Sequence, residues 1–248
     1  MVFIPVSDDN PLRSIRVQWV TFSLIAINVV VFALQVFGSA DGGAAVIASF
    51  ALIPSELFHI AVPGAVPGGV ELVPGGGVAV PKWLTLITYQ FLHGGILHLL
   101  FNMLFLWVFG DNVEDAMGHV MFLVFYLLCG VAGGLAHAFF VPSSPLPLVG
   151  ASGAIAGVIA AYLMLHPRVR VWVLVFRIVP LRVPAVLVLG FWVVTQLVMV
   201  VVAPDEGVAW WAHVGGLVAG AVLVLFMRRP GVPLFDRRLV PPAIERRS

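Results

Sequence analysis

The chain has 248 residues, 61% of them hydrophobic and only 10% charged, with a formal net charge of +1. A water-facing domain carries roughly 25% charged residues, so the composition excludes a soluble globular protein, and the near-neutral balance gives no basis for a nucleic-acid partner. One cysteine, Cys129, excludes an internal disulfide and a multi-cysteine metal site, and within its apolar run it reads as a buried, inert thiol.

Six apolar runs follow one another along the chain: about 17–37, 85–110, 119–140, 150–166, 184–203 and 209–227. They are rich in Gly, Ala and Leu and lack the alternation of barrel strands, so helices satisfy their backbone in lipid. The expected architecture is all-α, a polytopic membrane protein of six spans. The first run is longer than the h-region of a signal peptide and reads as a retained anchor. A long connection, 38–84, follows. Its "AVIASFALIPSELF" is apolar enough to lie in or on the membrane, with Pro54 opening a turn or a short helix. Its "VPGAVPGGVELVPGGGVAVP" forms no long helix. In the second run "HGG" at 93–95 is a break, and a helix starting after Gly95 runs to about Gly110, followed by an acidic loop at 111–118. His98 and Asn102 are four apart and share one face of that helix. The sixth run opens on Trp210 and Trp211, which suit an interface belt, with His213 just behind. The tail from Pro230 is basic, proline-rich and expected to be poorly ordered.

Charge placement fixes the topology. With the N-terminus (residues 1–16) and the tail (228–248) inside, twelve of the thirteen basic residues fall inside. These are Arg13 and Arg16, then Arg168, Arg170, Arg177 and Arg182, then the six arginines of the tail; only Lys82 falls outside. Five or seven spans would divide these clusters. Both termini are therefore expected in the cytoplasm, and a prokaryotic plasma membrane is the expected location.

Length then sets depth. From Ser152 to Leu165 a helix covers about 21 Å of a hydrocarbon core about 30 Å thick. With Arg168 and Arg170 at the inner interface, Ser152 lies about 10 Å below the outer surface. The preceding "VPSSPLPLV" dips in as irregular backbone, which lipid tolerates only when protein or a watery cavity surrounds it. The same reasoning brings His98, Asn102 and His213 to the outer half of the bilayer.

Each of these groups alone has a plain structural reading. Ser152 reads as a small packing residue, and His98 and Asn102 as interhelical hydrogen bonds. Their convergence on one layer from three spans favours chemistry. A serine needs a base, for which His213 is the candidate and His137 the rival. The anion formed on a carbonyl needs fixed donors, for which His98, Asn102 and the Ser152 backbone N–H are available. His93 lies close to the layer and would hold water or shape the entrance. No acid lies in the apolar part of any span, so a dyad is the economical reading; Asp205 and Glu206 lie near the last span, with nothing to place them beneath His213. Gly153 with Gly157, and Gly216 with Gly220, form small-xxx-small pairs that would bring spans four and six together.

The stretches "GASG" at 150–153, "AHVGGLVAG" at 212–220 and "FLHGGILHLLFNMLFLWVFGDNVED" at 91–115 resemble the rhomboid intramembrane serine proteases. The resemblance covers about 130 residues in the family's order. It implies Ser152 as nucleophile and His213 as base with no acidic third member, and His98 and Asn102 on the oxyanion side. Gly150, Gly153 and Gly216 fall within the matching stretches as site-shaping positions. The implied site opens to the outer side, and the implied substrates are single-pass transmembrane proteins cut in or near their membrane helix, with membrane lipids as further partners, no nucleic acid and no cofactor or metal. Two positions depart from the pattern. The residue four after the serine, often aromatic and beneath the histidine, is Ala156, so His213 is oriented by another residue or held less firmly. The Trp-Arg pair of the first long loop is replaced by Trp83 followed by Leu84.

Two other classes remain open to test. A non-catalytic relative that captures client helices would be marked by loss of the serine or histidine, and both are present. A transporter would be marked by inverted repeats or buried carboxylates in the spans, and neither is evident.

Overall fold

The computed structural model describes residues 3–38, 43–61, 80–176, 178–203 and 208–236. The strand β1 (Phe3–Asp8) precedes α1 (Trp19–Phe37), α2 (Ala44–Phe50) and α3 (Pro54–Leu57). Then come α4 (Thr85–Thr88), flanked by two 3-10 turns, α5 (Ile96–Met117), α6 (His119–Phe140) and α7 (Ser152–Leu165). The hairpin β2 (Arg170–Val175) and β3 (Val179–Pro184) leads into α8 (Ala185–Val202) and α9 (Trp210–Met227).

Among the described residues five helices, α1, α5, α6, α8 and α9, are long and apolar enough to cross a membrane, and α7 is a shorter apolar helix of 14 residues. The protein is an integral membrane protein built mainly of helices. A helix apolar all round must be covered on every side. α7 meets that demand at the centre of the bundle, where Gly153 to Tyr162 and Leu165 are buried and α5, α6 and α9 pack around it. The ring of Phe109 meets that of Tyr162 edge-on at 4.9 Å in the core between α5 and α7.

α5 begins after Gly95, as the "HGG" break requires, but does not stop near Gly110. In the stretch read as an acidic loop, 111–118, residues 111–117 are its last two turns and Gly118 ends it, and Glu114 and Asp115 are buried. Their carboxylates receive the chain entering α1. Glu114 accepts from the Val20 and Thr21 N–H groups and the Thr21 hydroxyl, at 2.7–3.0 Å. Asp115 accepts from the N–H groups of Arg13, Ser14 and Ile15 at 2.7–3.0 Å. Helix-start donors lack intrahelical partners, and a neighbouring helix supplies them here.

A three-stranded antiparallel sheet, order β1-β2-β3, adds to the helical fold. The sequence reading missed it. Val171 and Val173 are buried while Arg170 and Trp172 face out, the period of two expected of a half-buried strand. The start of the tail is also held. The Phe235 N–H donates to the Met164 carbonyl at 2.6 Å, and Asp236 pairs with Arg13 at 3.3 Å. The Pro/Gly-rich stretch 62–79, Arg177, Asp205, Glu206 and the tail beyond Asp236 lie outside the described residues.

The irregular segment before α7 is held by protein rather than left to lipid. Leu148 and Leu52 exchange backbone hydrogen bonds at 2.8 and 3.1 Å, the Ser55 N–H donates to Ser144, and the Gly150 N–H donates to the Tyr89 carbonyl at 3.0 Å. Ser152 thus starts a helix whose lead-in is pinned at three places.

Candidate functional site

Close backbone packing brings α7 and α9 together at the glycines that the sequence singled out. A Cβ on Gly216 would stand 1.9 Å from the Gly153 carbonyl oxygen, and one on Gly220 2.3 Å from that of Gly157. One turn before Gly216, His213 faces the first residue of α7. Its Nε2 lies 2.9 Å from the Ser152 Oγ. His137 lines the same cavity, but the imidazole hydrogen-bonded to the Ser152 hydroxyl is that of His213.

His98, in the first turn of α5, stands on the other side of the serine. Gly150 has φ +126°, a region L side chains avoid. A Cβ there would lie 2.7 Å from His98 Cε1, 2.8 Å from its Nε2 and 3.8 Å from the Ser152 Oγ. The bare glycine therefore keeps open a spot flanked by both groups. His98 Nδ1 accepts from the Gly94 N–H at 3.4 Å. A backbone N–H can only donate, so in the neutral ring the proton sits on Nε2, the nitrogen beside that spot. Asn102 lines the cavity and donates one amide N–H to the His98 carbonyl at 3.0 Å, which leaves its second N–H. His93 does not bond the serine. It is fully buried and packs edge-on against His98 at 5.1 Å, with its backbone clamped by both amide atoms of Gln35 on α1.

The position of Ala156 is met from α8. Ala156 is buried in a small cluster with Leu217, against which Trp192 packs. The Trp192 ring lies 5.9 Å from that of His213. One turn further along α8, Gln196 Oε1 is 2.8 Å from His213 Nδ1. Neither residue figured in the sequence reading. The available signal was a lone amide in the apolar run "FWVVTQLVMV", since a polar side chain within a span calls for a partner.

Ser152, His213, His98, Asn102 and Gln196 all line one cavity of about 1220 Å³, whose walls include Phe105 of α5, Leu189 of α8 and Phe3 of β1. Its lining is mainly apolar with few polar groups, the usual make-up of a binding site.

A short central helix buried among longer spans, carrying a serine hydrogen-bonded to a histidine at a cavity within the bundle, defines a polytopic membrane protein with an intramembrane serine–histidine pair. Residues 80–230 match the Rhomboid domain, and the chain belongs to the rhomboid family. It is similar to Rhomboid protease GluP of Bacillus subtilis (strain 168), at 34% identity over 165 residues, 66% of this chain and 30% of that protein. It is also similar to RHOMBOID-like protein 4 of Arabidopsis thaliana, at 32% over 184 residues, 71% of this chain and 44% of the relative. Putative rhomboid protease YdcA of Bacillus subtilis (strain 168) is 38% identical over 89 residues, 36% of this chain and 44% of that protein. The chain thus spans less than half the length of these relatives.

Proposed function

We propose that the protein is an intramembrane serine endopeptidase that cleaves transmembrane proteins in or near their membrane-spanning helix. The observation that carries this reading is the 2.9 Å approach of His213 Nε2 to the Ser152 hydroxyl inside a cavity large enough for several residues of an unwound peptide. The Ser152 oxygen attacks the peptide carbonyl carbon as its proton passes to His213 Nε2. The negative charge goes to the carbonyl oxygen, met by the His98 Nε2–H, an Asn102 N–H and the Ser152 backbone N–H, which a helix start leaves free. Collapse breaks the C–N bond, and His213 gives its proton to the leaving amine. A water attacks the acyl-enzyme by the reverse sequence, releasing the carboxyl product and restoring the Ser152 hydroxyl. His93, Gly150, Gly153 and Gly216 shape the site without touching the substrate carbonyl.

Substrates of this reading are single-pass membrane proteins, and the termini of this chain, with their arginines, face the cytoplasm of a prokaryotic plasma membrane. The name GluP carries the word protease; the name RHOMBOID-like protein 4 does not. Capture of client helices without cleavage is therefore the competing outcome. The test is a fluorophosphonate probe on the purified protein in bilayers, with the modified residue mapped by mass spectrometry, alongside a panel of single-pass substrates. Adduct on Ser152 and cut substrates, both lost in Ser152→Ala and His213→Ala, are expected. Intact substrates and an unmodified Ser152 in the wild-type protein would leave only the binder.

A further inference from the structure

The amide of Gln196 has one consistent arrangement of protons. Its Nε2 lies 3.0 Å from the Trp192 carbonyl of its own helix. A carbonyl cannot donate, so the atom facing it is the NH2 group and the atom facing His213 is the oxygen. An amide oxygen only accepts, so the His213 nitrogen at 2.8 Å, Nδ1, must carry a proton. The neutral imidazole then has its lone pair on Nε2, the nitrogen at the Ser152 hydroxyl. The backbone of α8 thereby fixes, through Gln196, which nitrogen acts as base.

Burial favours the same conclusion. Gln196 is 4% exposed and is the sole buried residue in the second half of α8, whose other buried residues are Ala185, Val188 and Leu189. His213 is 8% exposed, so water offers little competition for Nδ1. The ring is further bounded by the indoles of Trp192 at 5.9 Å and Trp210 at 6.0 Å, which limit its rotation without choosing a tautomer.

We propose that Gln196 is the positioning residue of the His213 base: it selects the Nδ1-protonated tautomer and ties the imidazole to α8, the role left vacant on α7 by Ala156. The proposal rests on the serine–histidine reading above. It also makes the outer half of α8 a part of the catalytic geometry and not merely a wall of the cavity. A displacement of that half of the helix would release the base.

The experiment combines fluorophosphonate kinetics at Ser152 with ¹⁵N spectra of histidine-labelled protein, on the wild type, Q196L and Q196E. The expected result in Q196L is a maximal inactivation rate lower by about 10- to 100-fold, the usual scale for an orienting partner, with the half-saturating probe concentration and the melting temperature little changed. Q196E keeps an acceptor and recovers part of the rate. The His213 spectrum shows protonated Nδ1 in the wild type and a mixture of tautomers in Q196L; should Q196L not fold, Q196M takes its place. Equal rates in the wild type and Q196L, or an Nε2-protonated His213 in the wild type, would overturn the proposal. A wild type that is never labelled at Ser152 refutes the protease reading instead, and the tautomer spectra then decide the role of Gln196 alone.

Discussion

Gly216 of α9 rests directly against the Gly153 carbonyl of α7, with no room for a methyl group: a Cβ would sit 1.9 Å from that oxygen. The contact is backbone on backbone, so no side chain can swing aside. Gly216→Ala must push the two helices apart, at a cost of about 1–3 kcal/mol for overpacking. The displacement also opens the gap between Ser152 and His213, and a misplacement of about 1 Å costs on the order of 100-fold in rate. Cleavage and serine labelling should fall together in Gly216→Ala, whereas Gly190→Ala on α8, where a Cβ meets nothing within 4 Å, should change neither. A Gly216→Ala protein with full labelling would break the link between this packing and the dyad.

Glu114 joins the end of α5 to the start of α1 through three donors from Val20 and Thr21, and it also lies 2.5 Å from His119 Nδ1. Removing the carboxylate strands buried N–H groups, at about 1–3 kcal/mol for each unsatisfied group. Glu114→Ala should lower the unfolding midpoint in detergent by an amount matching about 2–3 kcal/mol. Thr21→Val, which removes only the hydroxyl, should cost less. Similar midpoints for the two variants would mean that the N–H groups find other partners.

Much of this layout was legible from residue type and length. The short fourth span follows from counting residues between Ser152 and Arg168, and its central burial from its apolarity on all sides. The glycine pairs forecast which helices touch. Other features depend on distant partners that local pattern does not reveal. The acids of 111–118 look like a loop because their partners, the N–H groups of residues 13–15 and 20–21, lie about a hundred residues away. The sheet was not legible because β1 and β2 are separated by the seven helices α1–α7, and the arginines at 168–182 mark that stretch only as an inner connection between spans. Gln196 was overlooked because a single amide in an apolar run says that a partner exists, not which one.

Stability should respond to pH differently in the wild type and in Asp8→Asn. Asp8, on β1, accepts from the Tyr162 hydroxyl and from Asn112 Nδ2 at 3.1 Å, but burial prevails and raises its pKa from 3.8 to about 6. The folded form then holds more protons than the unfolded one between about pH 4 and 6, so this group lowers stability as pH rises through that window. His166, just past α7, is lowered from 6.5 to about 4 chiefly by burial, then by Arg13, with Asp236 and Asp115 acting in the opposite sense. Here the unfolded form holds more protons, so stability falls as pH drops from about 6.5 to 4. The two slopes oppose one another over nearly the same range. Asp8→Asn removes one of them. Relative to the wild type the variant should gain stability as pH rises from about 4 to 6, and above that window it should be the more stable protein. Parallel melting curves for the two proteins from pH 4 to 7 would show that Asp8 does not titrate in this range.

Phe3 meets Phe191 of α8 edge-on, with ring centroids 5.1 Å apart, and both line the cavity that holds Ser152. β1 reaches this position because it pairs with β2, Phe3 lying opposite Val175, so the N-terminus braces the first half of α8 while Gln196 holds the second. An aromatic pair of this geometry contributes about 0.5–1.5 kcal/mol beyond the area it buries. A double-mutant cycle on Phe3→Ala and Phe191→Ala, followed by reversible unfolding in mixed micelles, should return a coupling energy of about 1 kcal/mol. The single variants should each weaken the brace without touching the dyad. Ser152 labelling by a small fluorophosphonate should therefore persist in both, while cleavage of a transmembrane substrate, which must fill the cavity between α5 and α8, should respond through KM before kcat. Strictly additive unfolding energies would show that the two rings are neighbours without being partners, and that the strand is held by its backbone hydrogen bonds alone.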